Sequence, residues 1–195
     1  FNGIDTQHYR EFNYGIGNYE QGNDIVMPTE FLHGQYDGGH GAGLEDYWEK
    51  MWHNPLSAGG FLWDFADNAI IRKDLNDSLD TDKDRAADGI MGPHHEKEGS
   101  FYSIKEIWSP IYFERKEITP QFDGKLEIEN RYHFTNINQC SFRWELRNIN
   151  GGSVYPKDAY GTIQGPNITS LNKGFIQINL PNKWQSFDVL YVTAI

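Results

Sequence analysis

The residue with most chemistry to offer is Glu30, which follows the short apolar run Ile25-Val26-Met27 and has His33 three positions further on. A second apolar run, Gly59-Gly60-Phe61-Leu62-Trp63, also ends in acids, Asp64 and Asp67. A carboxylate at such a place is either a catalytic group or a solvated surface residue. Glu30 is read here as the group that the rest of the region serves, because the ends of parallel strands deliver successive loops to one face. A metal role is set aside: one Glu and one His offer too few convergent ligands for zinc.

The elements that must position Glu30 follow from pattern. Between the two apolar runs lie Gly34, Gly38, Gly39, Gly41 and Gly43, read as a loop in which glycine allows positive φ and close backbone approach. No GxxxxGK[ST] pattern is present, so the loop is not read as a phosphate cradle. Leu44, Tyr47, Trp48, Met51 and Trp52 then recur at helical spacing, predicting a helix whose apolar face covers a sheet, with Asn54-Pro55 stopping it. Strand, loop, helix, strand and loop in this order describe a βαβ unit. Upstream, Gly3 to Thr6 leads into a short extended piece with His8 and Tyr9 at its end, either presented there or ordinary loop residues, and Tyr14 to Gly22 suits a loop or a short helix.

Downstream, residues 70–84 are highly charged and read as a solvated excursion. Asn76-Asp77-Ser78 is a glycosylation sequon, meaningful only in a eukaryotic secretory context. His94-His95-Glu96 has the look of a metal cluster, but adjacent residues project in different directions, and the run is read as a polar loop. Phe101, Ile104, Ile107 and Trp108 predict a final helix, ended by Ser109-Pro110.

From Ile111 the pattern alternates. Strands are predicted at Lys125–Glu129, at Tyr132–Thr135, over the run Cys140 to Arg147, at Phe175–Leu180 and at Phe187–Val192, with a turn at Asn150-Gly151-Gly152. Several short strands between turns predict a β-sandwich.

Composition bounds the partners. Seventeen basic against 28 acidic side chains leave a net charge of −11, which argues against a broad grip on nucleic acid. No run reaches the ~18–20 apolar residues of a membrane span. The single cysteine, Cys140, leaves the compartment undecided. Aromatic residues make up 15% of the chain, which suits a β-rich core or the stacking of rings on sugar faces. The chain starts on Phe1 with no leader pattern, and the expectation is a piece of a longer protein.

The segments Pro28 to Gly34, Leu44 to Met51 and Gly59 to Asn68, continued by Ala87 to Ile90 and Tyr102 to Pro110, resemble glycoside hydrolase family 2, the β-galactosidase group. The resemblance runs from about Tyr9 to Trp144. It implies a retaining exo-β-glycosidase acting on terminal β-galactosides, with β-glucuronidase and β-mannosidase specificities as alternatives. A non-catalytic carbohydrate-binding sandwich protein is a further alternative. It implies that residues 1–110 are the C-terminal part of a (β/α)8 TIM barrel, and that 111–195 form an immunoglobulin-like β-sandwich that is incomplete. By position Glu30 becomes the nucleophile, with Tyr9 supporting its carboxylate. His33 orients a sugar hydroxyl, and Trp63 is the apolar platform. Asp88 stands beside the sugar where many β-galactosidases carry an Asn near a bound cation. No cofactor is implied, and the acid at Asp88 leaves the cation unsupported.

Retaining glycosidases need two carboxyl groups ~5–5.5 Å apart. The family's acid/base glutamate would precede Phe1, so this chain is expected to be inactive alone. The implied partners are a carbohydrate and the preceding domains of the same protein. An open piece of parallel sheet exposes edges and apolar faces, so the isolated chain is expected to be a homo-oligomer or partly unfolded.

Overall fold

The computed structural model describes residues 3–17, 22–33, 35–81, 87–149 and 159–195, with side chains left undescribed at 35–42. The backbone divides into two compact units, Phe1–Trp108 and Ser109–Ile195. Taken together they are mostly β-sheet with few helices, and among the described residues no helix is long and apolar enough to cross a membrane.

The first unit is built on parallel backbone pairing. Strands β1 (Ile4–Asp5) and β2 (Ile25–Val26) pair in parallel, with Ile4 opposite Ile25. The pairing continues past both strands: Met27 N donates to Asp5 O at 3.0 Å, Thr29 N to Gln7 O at 3.0 Å and Tyr9 N to Glu30 O at 2.8 Å. On the other side of β2, Val26 N reaches Leu56 O at 2.7 Å, Phe61 N reaches Pro28 O at 3.2 Å and Trp63 N reaches Leu32 O at 3.1 Å. The expected strand at Gly59–Trp63 is thus an extended segment tied by single bonds and one bridge, His33 to Trp63. A further neighbour follows, with Asp64 N donating to Asp88 O and Ile90 N to Asp64 O, each at 2.9 Å. Successive extended segments therefore run side by side in one direction, which carries their far ends to a common rim.

Helices cover this sheet. A single turn, α1 (Phe12–Gly15), precedes β2, and the long helix α2 (Gln35–His53) follows it. The glycine-rich stretch expected as a loop is the first half of α2, apart from Gly34, which lies outside the described residues. Each helical glycine costs about 1 kcal/mol against alanine. The second half offsets this by packing: Leu44 and Met51 are buried with Ile16, Phe31 and Ile104, the last from α3 (Gly99–Ile107). Helices in proteins draw more on such packing than on propensity. Asn54, at the end of α2, donates to Ile16 O at 3.1 Å and accepts from Leu56 N at 2.9 Å, turning the chain back.

The charged excursion is an exposed hairpin, β3 (Ala69–Arg72) with β4 (Ser78–Thr81), paired so that Ile71 faces Leu79. Arg72 braces it, meeting Asp74 at 2.6 Å and Asp80 at 2.9 Å. Residues 82–84 of the predicted excursion lie outside the described residues.

The second unit holds β5 (Ile111–Phe113), β6 (Lys125–Asn130), β7 (Ser141–Arg147), β8 (Tyr160–Gln164), β9 (Lys173–Gln177) and β10 (Val189–Ala194). They form two antiparallel sheets, ordered β5-β6-β9 and β10-β7-β8. Leu126, Ile128 and Ile176 from one sheet and Phe142, Trp144 and Leu146 from the other belong to one buried core, an arrangement consistent with a β-sandwich. Along β7 burial alternates, as half-buried strands require.

Tyr132–Thr135 is not a strand. The buried Asn130 replaces the ladder there: its amide donates to Thr135 O at 2.9 Å and Ile168 O at 3.0 Å, and its oxygen accepts from Tyr132 N at 3.0 Å. The turn predicted at Asn150-Gly151-Gly152 lies outside the described residues.

Candidate active site

Glu30 sits where the segment after β2 passes between its two neighbours, with a fifth of its side chain exposed (20%). Its backbone carbonyl accepts from Tyr9 N, and its carboxylate is hydrogen-bonded by the Tyr9 hydroxyl. Tyr9 has φ 40°, a left-handed conformation that is uncommon and strained for an aromatic residue. Burial first, then the bond to Glu30 and the negative fields of Glu30, Asp88 and Asp64, hold the Tyr9 hydroxyl protonated well above its ordinary value.

His8 approaches Glu30 from the same segment, with Nε2 3.6 Å from Oε1, while its Nδ1 lies 2.7 Å from Thr29 Oγ1. His33 is held from several sides. Its ring stacks on Tyr9 with centroids 4.7 Å apart and planes at 16°. Its Nδ1 is 3.0 Å from Asp88 Oδ1, and its backbone bridges Trp63. Asp88 is buried at 5% exposure, whereas Trp63 keeps 38% of its surface open. The peptide joining Trp63 to Asp64 is cis.

All five residues singled out from the sequence therefore lie on adjacent extended segments of one unit. Tyr9 and His33 are in direct contact, Tyr9 touches Glu30, His33 touches Asp88, and Trp63 is bridged to His33.

Asp64 joins them without having been assigned a role. Burial raises its carboxyl above the usual range, Asn68 lowers it through a 3.4 Å hydrogen bond, Asp88 and Asp67 raise it and His33 lowers it. The signal that could have found it is its position directly after Trp63, at the end of the second apolar run. Asp67 is structural, accepting from Gly89 N at 2.9 Å. Gly89 itself has no room for a Cβ, which would strike the backbone of Asp67, Met91 and Ala66.

Chemically, the arrangement presents one carboxylate with a phenol donor, an imidazole in contact with a second carboxylate, and an exposed indole. Among the described residues no group of three or more His, Cys, Asp or Glu side chains gathers as a metal site. At His94-His95-Glu96 the carboxylate instead caps its own loop, accepting from His94 N at 2.8 Å.

No family model matches the chain. Its similarity is to proteins named beta-galactosidase. The protein of Oenococcus oeni is 23% identical over 120 residues, which is 55% of this chain and 12% of that protein. For Alteromonas mediterranea the identity is 24% over 135 residues, 64% of this chain and 13% of that protein. For Actinobacillus pleuropneumoniae it is 28% over 101 residues, 48% of this chain and 9% of that protein. The chain thus resembles, over about half of its own length, a small part of much longer proteins that carry this name.

Proposed function

We propose that this chain is the C-terminal part of the catalytic barrel, with the sandwich domain that follows it, of a retaining β-glycosidase of glycoside hydrolase family 2 acting on terminal β-galactosides. In this reading residues 1–110 close a (β/α)8 barrel and residues 111–195 are an immunoglobulin-like sandwich. Preceding domains of the same protein complete the barrel, and the exposed apolar residues Ile4 and Ile25 on the short parallel strands are what such a completion would cover.

The observation that carries the reading is the Tyr9 hydroxyl on the Glu30 carboxylate, with the stacked His33 and the open Trp63 on the adjoining segments. A nucleophilic carboxylate must stay ionised and aimed, and a phenol that remains protonated is a donor suited to hold it. Glu30 attacks the anomeric carbon while a second carboxyl group, supplied by the preceding part of the protein, protonates the leaving oxygen. That group then removes a proton from water as the glycosyl–enzyme bond breaks. Trp63 offers its face to the sugar, and His33 and Asp88 line the hydroxyl side.

A second reading within the family, β-glucuronidase or β-mannosidase specificity, rests on the acid at Asp88, where many β-galactosidases carry an Asn. Assaying a panel of chromogenic β-glycosides with the full-length protein separates the two. Replacing Glu30→Gln there should abolish turnover, and retention of most of the wild-type rate would refute the nucleophile.

A further inference from the structure

The second unit has a concavity that the glycosidase reading does not use. Where β6 begins and β9 ends the two strands draw together: Ile178 N donates to Gly124 O at 2.8 Å, and a Cβ at position 124 would strike Ile178 O. Gly124 also has φ 85°, so glycine is required there on both counts. Beyond this junction the chain runs through Pro181 into a short helical turn, Trp184–Ser186. Between junction and turn lies a cavity of about 450 Å³. Small-molecule sites have volumes of this order.

The fold holds three side chains of its wall in place. Trp184 is half-buried and stands edge-on to the buried Phe122, with centroids 6.0 Å apart and planes at 84°. Gln177 gives its amide nitrogen to Asp123 O at 2.9 Å and to Ile178 O at 3.4 Å, which commits its donors and leaves the amide oxygen as an acceptor. Asp123 accepts from Lys125 N on Oδ1 at 3.0 Å and keeps its second oxygen. Asn179 and Asn182, on the same wall, are exposed, and their side chains bond no described residue.

This lining selects among ligand classes. One cation of the wall, Lys183, stands against one carboxylate, Asp123, which is too little positive charge to hold a phosphate or a polyanion. The exposed wall is more polar than apolar, which is wrong for an apolar ligand. A pyranose suits both parts of it. Its C–H face matches an indole, and its hydroxyls donate and accept as amides do. We propose that this cavity binds a neutral saccharide, with a sugar ring on Trp184 and its hydroxyls bonded by Asn179, Asn182 and the oxygens of Gln177 and Asp123. A second cavity, of about 520 Å³, meets the first at Asp123, so an oligosaccharide longer than one ring continues along the sheet. A polymer held there stays near the protein, which raises the effective concentration of its ends. The saccharide class is read from this wall and does not depend on Glu30 being a nucleophile.

The test uses the full-length protein. Trp184 is oxidised with N-bromosuccinimide, and its peptide is followed by mass spectrometry in the presence of β-1,4-linked galacto-, gluco-, manno- or xylotetraose. At least one of these should slow oxidation of Trp184 severalfold; equal rates with all four overturn the proposal, whatever the protein hydrolyses. The concentration of the protecting sugar that halves the rate is then measured in Asn179→Ala/Asn182→Ala. Neither side chain supports the fold, so a change there reads contact with the sugar. Loss of two hydrogen bonds should raise that concentration about tenfold or more, with kcat/KM on a small chromogenic β-glycoside unchanged. An unchanged concentration means that the sugar protects Trp184 from elsewhere and overturns the proposal. Failure of the wild type on every β-glycoside overturns the glycosidase reading instead, and protection of Trp184 still decides this site.

Discussion

Tyr9 is tied to Glu30 twice, by its amide to the Glu30 carbonyl at 2.8 Å and by its hydroxyl to the Glu30 carboxylate. The backbone bond fixes where the ring starts, and the side-chain bond fixes where it ends. Tyr9→Phe keeps the first and deletes the second. Loss of a preorganised donor of this kind costs about a hundredfold in kcat. Steady-state kinetics of the full-length variant check this, and a rate within a factor of two of wild type would remove Tyr9 from the site.

The same contact leaves a spectroscopic mark. Tyr9 is raised above its ordinary 10.0, by burial first and the Glu30 bond second. Because the folded state favours the neutral phenol, the linked stability is present at and below pH ~10 and is lost as the pH climbs through the folded value. In a tyrosinate absorbance titration, the difference between wild type and Tyr9→Phe should therefore appear only well above pH 10. Glu30→Gln should draw that component downward. A Tyr9 component centred near 10 would mean the two groups do not meet in solution.

Two glycines of the first unit should respond oppositely to the same added methyl. At Gly89 a Cβ meets the backbone of Asp67, Met91 and Ala66, so Gly89→Ala should cost about 2 kcal/mol or more and disturb Asp88 beside it. At Gly43 in α2 the nearest atom is Leu32 Cδ2 at 3.9 Å, ordinary contact distance. There alanine should stabilise by roughly 0.5–1 kcal/mol. Urea midpoints of the two variants, compared with wild type, decide both.

In the second unit Asn130 is wholly buried and serves three backbone groups. Asn130→Ala strands two carbonyls and an amide, at about 1 kcal/mol or more apiece. A loss near 3 kcal/mol is expected by chemical unfolding, and Asn130→Asp should not recover it, because a carboxylate cannot donate to Thr135 O and Ile168 O. A loss below 1 kcal/mol would show that water replaces the amide.

These residues also mark what was legible in the order of amino acids. Periodicity exposed α3 and β7, where Ile104 and the series Phe142, Trp144, Leu146 are buried as their spacing requires. It failed at Tyr132–Thr135, because Asn130 reaches across 38 positions to Ile168 and alternation carries no trace of that. It also missed β8: an apolar residue was the signal to look for, but Gly161 lies under the Trp144 indole, where a Cβ would sit 2.8 Å from Nε1. The glycines of α2 were misread because propensity was weighed without the packing of Leu44 and Met51. At the site, Glu30 and His33 could be picked out by their place after β2. The Tyr9 stack and the Asp88 bond could not, since both depend on which segments become neighbours.

The parallel ladder through residues 3–9 and 25–30 has a consequence for how this region can vary. Alternate positions on an extended chain point to opposite sides, so substitutions leave the aim of Glu30 intact while a change in length does not. Deleting one residue between Val26 and Thr29 would swing the carboxylate through to the helix-covered side, away from Tyr9. Evolution or an engineer can therefore rewrite these segments letter by letter, but inserting or removing a single letter breaks the geometry outright.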